Sequence, residues 1–220
     1  TDQLTASYIR PDFYENAQNF PKNVSLLQQF LSSENKNSKV RAIPGEGVEI
    51  PIWILGSSTE SSVLAASYGL PYAFASHFAP AQIKNAFDFY KNNFQINDVL
   101  QAPYTLACVN VIIADSLQEA QRLATSFYMM FLGVIRIERR RMQAPIDSMD
   151  GIWNVNEEAM VRQMLTCSFI GTKEIVKREL SNFLNKIPCD EIMMSCPVYD
   201  LEARKISMTY FSEILSELNV

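Results

Sequence analysis

The sequence predicts an α/β protein, a parallel β-sheet covered by helices. Three observations predict it. Apolar runs without polar alternation, such as Pro51 to Leu55, Leu70 to Ala75 and Tyr104 to Ile113, read as strands buried on both faces. Stretches with apolar residues at helical spacing lie between them. The two kinds alternate in four strand–helix repeats, and alternating βαβα implies a parallel sheet. Four strands in 220 residues leave two architectures open: a small open sheet, or the later part of a larger eight-stranded barrel, which takes about 250 residues.

Taken in order, Thr1 to Arg10 is polar, and Pro11 to Phe20, rich in Asn, Tyr and Phe, reads as a loop or short helix. Asn23 to Leu31 has helical apolar spacing, with Pro21 suited to a helix start. Ser32 to Lys39 is a polar linker, and Pro44-Gly45-Glu46-Gly47 is a turn between two short extended pieces. Pro51 to Leu55 is the first strand. Gly56-Ser57-Ser58 turns the chain into a helix, where Ser57 and Glu60 form a capping box and Ser58 and Ser61 add hydroxyls to the first turn. Gly69 ends this helix. Leu70 to Ala75 is the second strand, followed by Ser76-His77-Phe78.

Pro80 opens the next helix, whose Ile83, Phe87, Tyr90 and Phe94 share one face. Pro103 to Ala114 is the third strand. Ser116 with Glu119 is a second capping box, before the stripe Leu117, Ala120, Ala124, Phe127 and Phe131. Residues 133–156 break the pattern. This excursion holds the basic cluster Arg136, Arg139, Arg140 and Arg141, then Pro145 and Gly151. Glu157 to Cys167 is helical, and Ser168 to Thr172 turns the chain into a helix carrying Ile175, Val176, Leu180, Phe183 and Leu184. Glu191 to Ser195 is the fourth strand, and Leu201 to Leu218 the final helix.

Composition is globular, with 48% hydrophobic and 20% charged residues. A net charge of -5 argues against a nucleic-acid footprint. Cys108, Cys167, Cys189 and Cys196 form no CxxC pair and have no nearby histidine, so neither a metal site nor a disulfide framework is expected. Reduced thiols fit a cytoplasmic protein. The longest apolar run, Phe127 to Ile135, is about half of a membrane span, and the start shows no basic-then-apolar leader.

The motifs then resemble a family. Ile-Leu-Gly-Ser-Ser-Thr-Glu-Ser-Ser (54–62) with Ala-Ala-Ser-Tyr-Gly-Leu-Pro (65–71), then Ala-Ser-His-Phe (75–78), is similar to the bacterial luciferase-like flavin monooxygenases. So are Ser168-Phe-Ile-Gly-Thr-Lys-Glu-Ile-Val176 and Asp190-Glu-Ile-Met-Met194. The resemblance implies a TIM barrel of which this single domain, residues 1–220, supplies strands five to eight. Thr1-Asp2 would follow directly on the family's strand-four turn, so the chain is expected to be the C-terminal two-thirds of the protein. Half a barrel would leave strand edges uncovered.

The resemblance also implies an FMN-dependent monooxygenase that uses reduced flavin and oxygen to oxidise a small organic substrate. An NAD(P)H-dependent flavin reductase and a homodimeric partner are expected. The alternatives are a non-catalytic flavin-binding protein, a deazaflavin-dependent oxidoreductase of the same fold, and a truncated remnant that only oligomerises.

Gly56, Ser57, Ser58 and Ser61 are the candidate phosphate holders, because a capped helix N-terminus supplies donors and a favourable dipole. Their plain alternative is capping of their own helix. Matching family members often carry an acid where Ser57 stands. His77, the single histidine, follows a strand at the end where barrel sites lie. It and Ser76 are candidate contacts to the flavin or substrate, with Phe78 beside them and packing as the alternative. The excursion is a candidate lid, with an arginine reaching the cofactor; the favoured reading of the arginines is a solvated cluster or an inter-subunit salt bridge. Ser195 and Cys196 end the last strand with nothing nearby to activate the thiol.

Overall fold

A computed structural model describes residues 3–48, 50–138 and 140–218. Two compact units divide the chain, Thr1–Ile52 and Trp53–Val220. The first holds α1 (Gln3–Ile9), α2 (Phe13–Leu31) and a short 3-10 turn at Ser33–Asn37. Pro21 lies inside α2 rather than at its start, so the helix begins eight residues earlier than the proline suggests. An interior proline removes one ladder bond, and here the turns on either side keep the helix continuous. The polar linker is ordered by the buried Asn35, whose carboxamide accepts from Ala42 N–H at 2.8 Å and donates to Val40 O at 3.3 Å.

The second unit is an all-parallel, five-stranded sheet with its helices. Its strands are β1 (Ile54–Gly56), β2 (Tyr72–Phe74), β3 (Thr105–Ile113), β4 (Ser168–Gly171) and β5 (Glu191–Ser195). Its helices are α3 (Thr59–Ser67), α4 (Ile83–Asn93), α5 (Leu117–Ile135), α6 (Val155–Met164), α7 (Lys173–Lys186) and α8 (Leu201–Leu218). The predicted α/β class with a parallel sheet is the one found.

β3 is the axis. All nine of its residues are buried. One edge pairs β2 at residues 105–107 and β4 at 110–113, and the other pairs β5 at 106–110. β4 is a correction to the sequence reading, which took Ser168 to Thr172 for a turn. Pairing with the length of β3 that β2 leaves free makes the segment a strand, and Phe169 and Ile170 pack into clusters on opposite faces. A second correction concerns β1. Leu55 is 66% exposed, so this strand is covered on one face only.

The register sorts the sheet into two faces. Val109, Val111, Ile113, Phe169, Ile192 and Met194 face α7 and α8, with Leu180, Phe211 and Ile214 filling the layer. Leu55, Ala73, Leu106, Cys108, Asn110 and Met193 share the opposite face. Toward the C-terminal end of β3 that face is covered by α5, through Ile112, Ala124, Phe127 and Phe131.

Above the end of β5, Ile113 N–H has no strand partner and donates instead to Ser207 Oγ of α8 at 2.9 Å. Ser207 is fully buried. Changing Ser207 to Ala strands a buried N–H, and the expected cost is about 1–3 kcal/mol. Urea unfolding measures it; a loss below about 0.5 kcal/mol would mean the N–H finds another acceptor.

Candidate functional site

Because every strand is parallel, the five C-terminal ends lie along one side of the sheet, and the turns after β1 and β2 meet there. Ala75 N–H donates to Gly56 O at 2.8 Å, extending the β1–β2 ladder into both turns. On the β1 side, α3 starts at Thr59 with Ser58 as its N-cap, not Ser57, and the Ser58 hydroxyl makes no capping bond to the helix. The predicted Ser57–Glu60 box is therefore absent, because Ser58 in extended conformation puts Glu60 one position too early to reach back to Ser57. Instead the Ser58 hydroxyl holds the Glu60 carboxylate below its ordinary range, together with Glu60's own N–H.

Ser61 points elsewhere. Its hydroxyl donates to Ser58 O at 2.7 Å and meets Tyr72 Oη at 2.9 Å, while Tyr72 also donates to Ser58 O. Ser61 therefore braces the turn from within. Gly56 is required by this brace, since a Cβ there would fall 1.9 Å from Ser61 Oγ and 2.2 Å from its Cβ. Thr59 N–H is covered by Gln82 Oε1 at 3.3 Å. Ser57 and Ser58 are half-buried at the rim.

On the β2 side, Ser76 and His77 fill the break between β2 and β4 along β3. His77 N–H and Ser76 Oγ both donate to Cys108 O, at 2.7 and 2.5 Å. Asn110 Nδ2 donates to His77 O at 2.7 Å and to Ser168 Oγ at 3.2 Å. Asn110 is 2% exposed. It escaped the sequence reading because it sits in an otherwise apolar strand, and that interruption was the available signal. The His77 Nδ1 atom is buried without a partner. Burial pushes this imidazole below its ordinary value of 6.5, opposed by the Cys108 carbonyl, with no charged side chain contributing. Ser76 is buried, and Phe78 is exposed beside them.

The other candidates separate from this corner. Arg136 forms a two-pronged pair with Glu157, at 2.7 and 2.9 Å, and donates to Ile152 O. Arg140 pairs with Glu138 at 3.0 Å and Arg141 is exposed, so Arg136 and Arg140 form salt bridges within the chain rather than the expected inter-subunit one. Arg139 lies outside the described residues, as do Thr1 and Asp2. The excursion is tied to α5 by Thr125, which accepts from Ile146 N–H and donates to Ile146 O. Ser195 is half-buried. Burial raises the Cys196 thiol, and Cys108, Cys167 and Cys189 each to about 11, so all four are held as thiols. Among the described residues no cluster could hold a metal ion, and no helix is long and apolar enough to cross a membrane.

Two outcomes follow from this geometry. Gly56→Ala should displace the α3 start and lower stability by about 1–3 kcal/mol, read from the urea midpoint. For His77, the folded state holds the ring's pKa below its unfolded value. Its contribution to stability is therefore complete above pH 6.5 and is lost as pH falls below that, levelling off beneath the folded-state value. Subtracting the pH profile of His77→Gln from that of the parent should isolate this loss; identical profiles would refute it.

The family model described as luciferase-like monooxygenase matches residues 26–186. The luciferase-like monooxygenase of Escherichia coli (strain K12) is 38% identical over 218 residues, which is 99% of this chain and 65% of that protein. The chain spans 64% and 65% of the length of two curated relatives it matches. Among solved structures, apo-MsnO8 superposes with a TM-score of 0.74 at 19% identity, covering 90% of this chain and 60% of its own. The oxygenating constituent of 3,6-diketocamphane monooxygenase from Pseudomonas putida, solved in complex with FMN, gives 0.53 at 18% identity, covering 80% and 50%. At these identities the two structures establish the shared fold.

Proposed function

The chain belongs to the luciferase-like monooxygenase family, and on that premise we propose that it binds FMN and oxidises a small organic substrate with reduced flavin and oxygen. Its sheet would be the strand-five-to-eight part of a (β/α)8 barrel, with β4 added along β3. The observation that carries the reading is the junction of two turns at the strand ends, tied by Ala75 N–H to Gly56 O: a helix start with the Ser57 and Ser58 residues half-buried at its rim, next to a half-buried histidine whose Nδ1 has no partner. Both suit a phosphate-bearing ring system. The E. coli relative is named for this chemistry, and a protein of the same fold was solved with FMN.

Ser57 and Ser58 at the start of α3 would hold the phosphate, which would displace the Glu60 carboxylate from the Ser58 hydroxyl. Gly56 lets the turn close, and Ser61 stiffens it without touching the ligand. Bound flavin supplies the redox chemistry with oxygen. His77, held neutral near pH 7 and half-buried, offers the exposed part of its ring to a polar edge of the flavin or of the substrate. Leu55 and Met193, 66% and 54% exposed on one face of the sheet, give an apolar floor that a ring would cover, excluding water from the reacting centre. A separate NAD(P)H-dependent flavin reductase would supply the electrons, and a homodimer is the expected assembly.

Fluorescence titration with FMN and with riboflavin tests the reading. FMN should bind the parent at least about tenfold more tightly than riboflavin, a difference of ~1.4 kcal/mol. Ser58→Asp should abolish that preference by repelling the phosphate, and Glu60→Gln should increase it. Equal affinities in the parent would sink the phosphate assignment. A deazaflavin that binds where FMN does not would move the proposal to hydride transfer, and flavin binding without oxygen uptake to a non-catalytic binder.

A further inference from the structure

We propose that Asn110 is the positioning residue of this site: its carboxamide fixes the His77 backbone so that the imidazole stays at the strand-end corner, facing bound flavin or substrate. The role rests on the flavin reading above. Asn110 sits where β3 passes from β2 to β4. β2 pairs as far as Ala107, β4 begins at Asn110, and the two strands share that edge. The His77 carbonyl enters the break with no strand to receive it. The Asn110 amide donates to that carbonyl at 2.7 Å and to Ser168 Oγ at 3.2 Å, using both of its N–H bonds. One side chain thus clasps the end of β2 and the start of β4, 33 and 58 residues away along the chain.

Packing alone would not select asparagine here. Its neighbours along β3 on the same face, Cys108 and Ile112, are buried, and a polar side chain between them costs stability unless it is bonded. The bond to His77 O fixes a loop, since the β3 backbone already has its partner on that edge: Asn110 N–H donates to Cys167 O; the second bond reaches Ser168 Oγ of β4. With the Cys108 carbonyl holding His77 N–H, the His77 backbone is gripped on both sides. The half-buried imidazole is left as the part of the residue able to meet a ligand, with its Nδ1 buried and unpartnered behind it.

The chain has one histidine, so its imidazole resonance can be followed by NMR without assignment. Asn110→Leu and Asn110→Ala both remove the two donors but differ in volume, so a change common to both reports the donors and not the packing. Either variant alone is informative where the other does not fold. Without added flavin, the His77 titration should move upward by about half a pH unit or more as the ring gains water. With FMN, affinity should fall about tenfold. Ser168→Ala keeps the bond to His77 and should leave the titration in place. An unmoved titration in the Asn110 variants, or an equal shift in Ser168→Ala, would overturn the clasp. A shifted titration in a protein whose parent form binds no flavin would overturn the proposed role and the flavin reading together, leaving a structural clasp.

Discussion

The second unit depends on one strand being completely satisfied along two unequal edges. β3 is nine residues long, whereas β1 and β2 have three each and β4 has four. No single neighbour can match it, and a buried backbone group without a partner is expensive. The remaining positions are met piece by piece. β2 and β4 share one edge, His77 N–H and the Ser76 hydroxyl fill the space between them, and Ser207 caps the far end of the other edge. The candidate site is a consequence of this accounting. The residues that complete β3 are those that place His77 and its surroundings.

The β1–α3 turn is built on a different principle. Its backbone is braced from inside by Ser61, Tyr72 and the Ser58 carbonyl, and Gly56 is small enough to let the brace close. The Ser58 hydroxyl is left for the Glu60 carboxylate. The turn is thus rigid on its inner side, with Ser57 and Ser58 half-buried at its rim. The two halves of the corner differ in chemistry: one carries hydroxyls at a helix start, the other holds a partly desolvated imidazole.

Elsewhere the charged residues serve the framework. Lys173 bridges Glu213 and Glu217, and Lys177 joins Glu217, tying α7 to α8. Arg136 secures the end of α5 to Glu157, whose carboxylate also completes the capping box of α6. At the other end of the sheet, Asp190 accepts from both the N–H and the hydroxyl of Thr105. Within the basic cluster, Arg136 and Arg140 are thus engaged by carboxylates of the chain itself.

Much of the fold was legible in the residues. The unbroken apolar run at 105–113, the stripe of Ala120, Ala124, Phe127 and Phe131, and the bounds of β5 and α8 follow from periodicity, which burial enforces locally. So does the class, because alternation leaves few topologies. The motifs also carried the family, through short segments whose order survives in one dimension. Three things needed the tertiary structure. Ser168 to Gly171 becomes a strand only because β3 outruns β2. Ser61 turns inward only because Tyr72 lies beneath it, so spacing alone counted it among the ligand-facing hydroxyls. Asn110 gains a role only when β2 and β4 meet across it, from positions 33 and 58 residues distant. A sequence records which groups can bond; the closing of the sheet decides which of them find one another and which are left for a ligand.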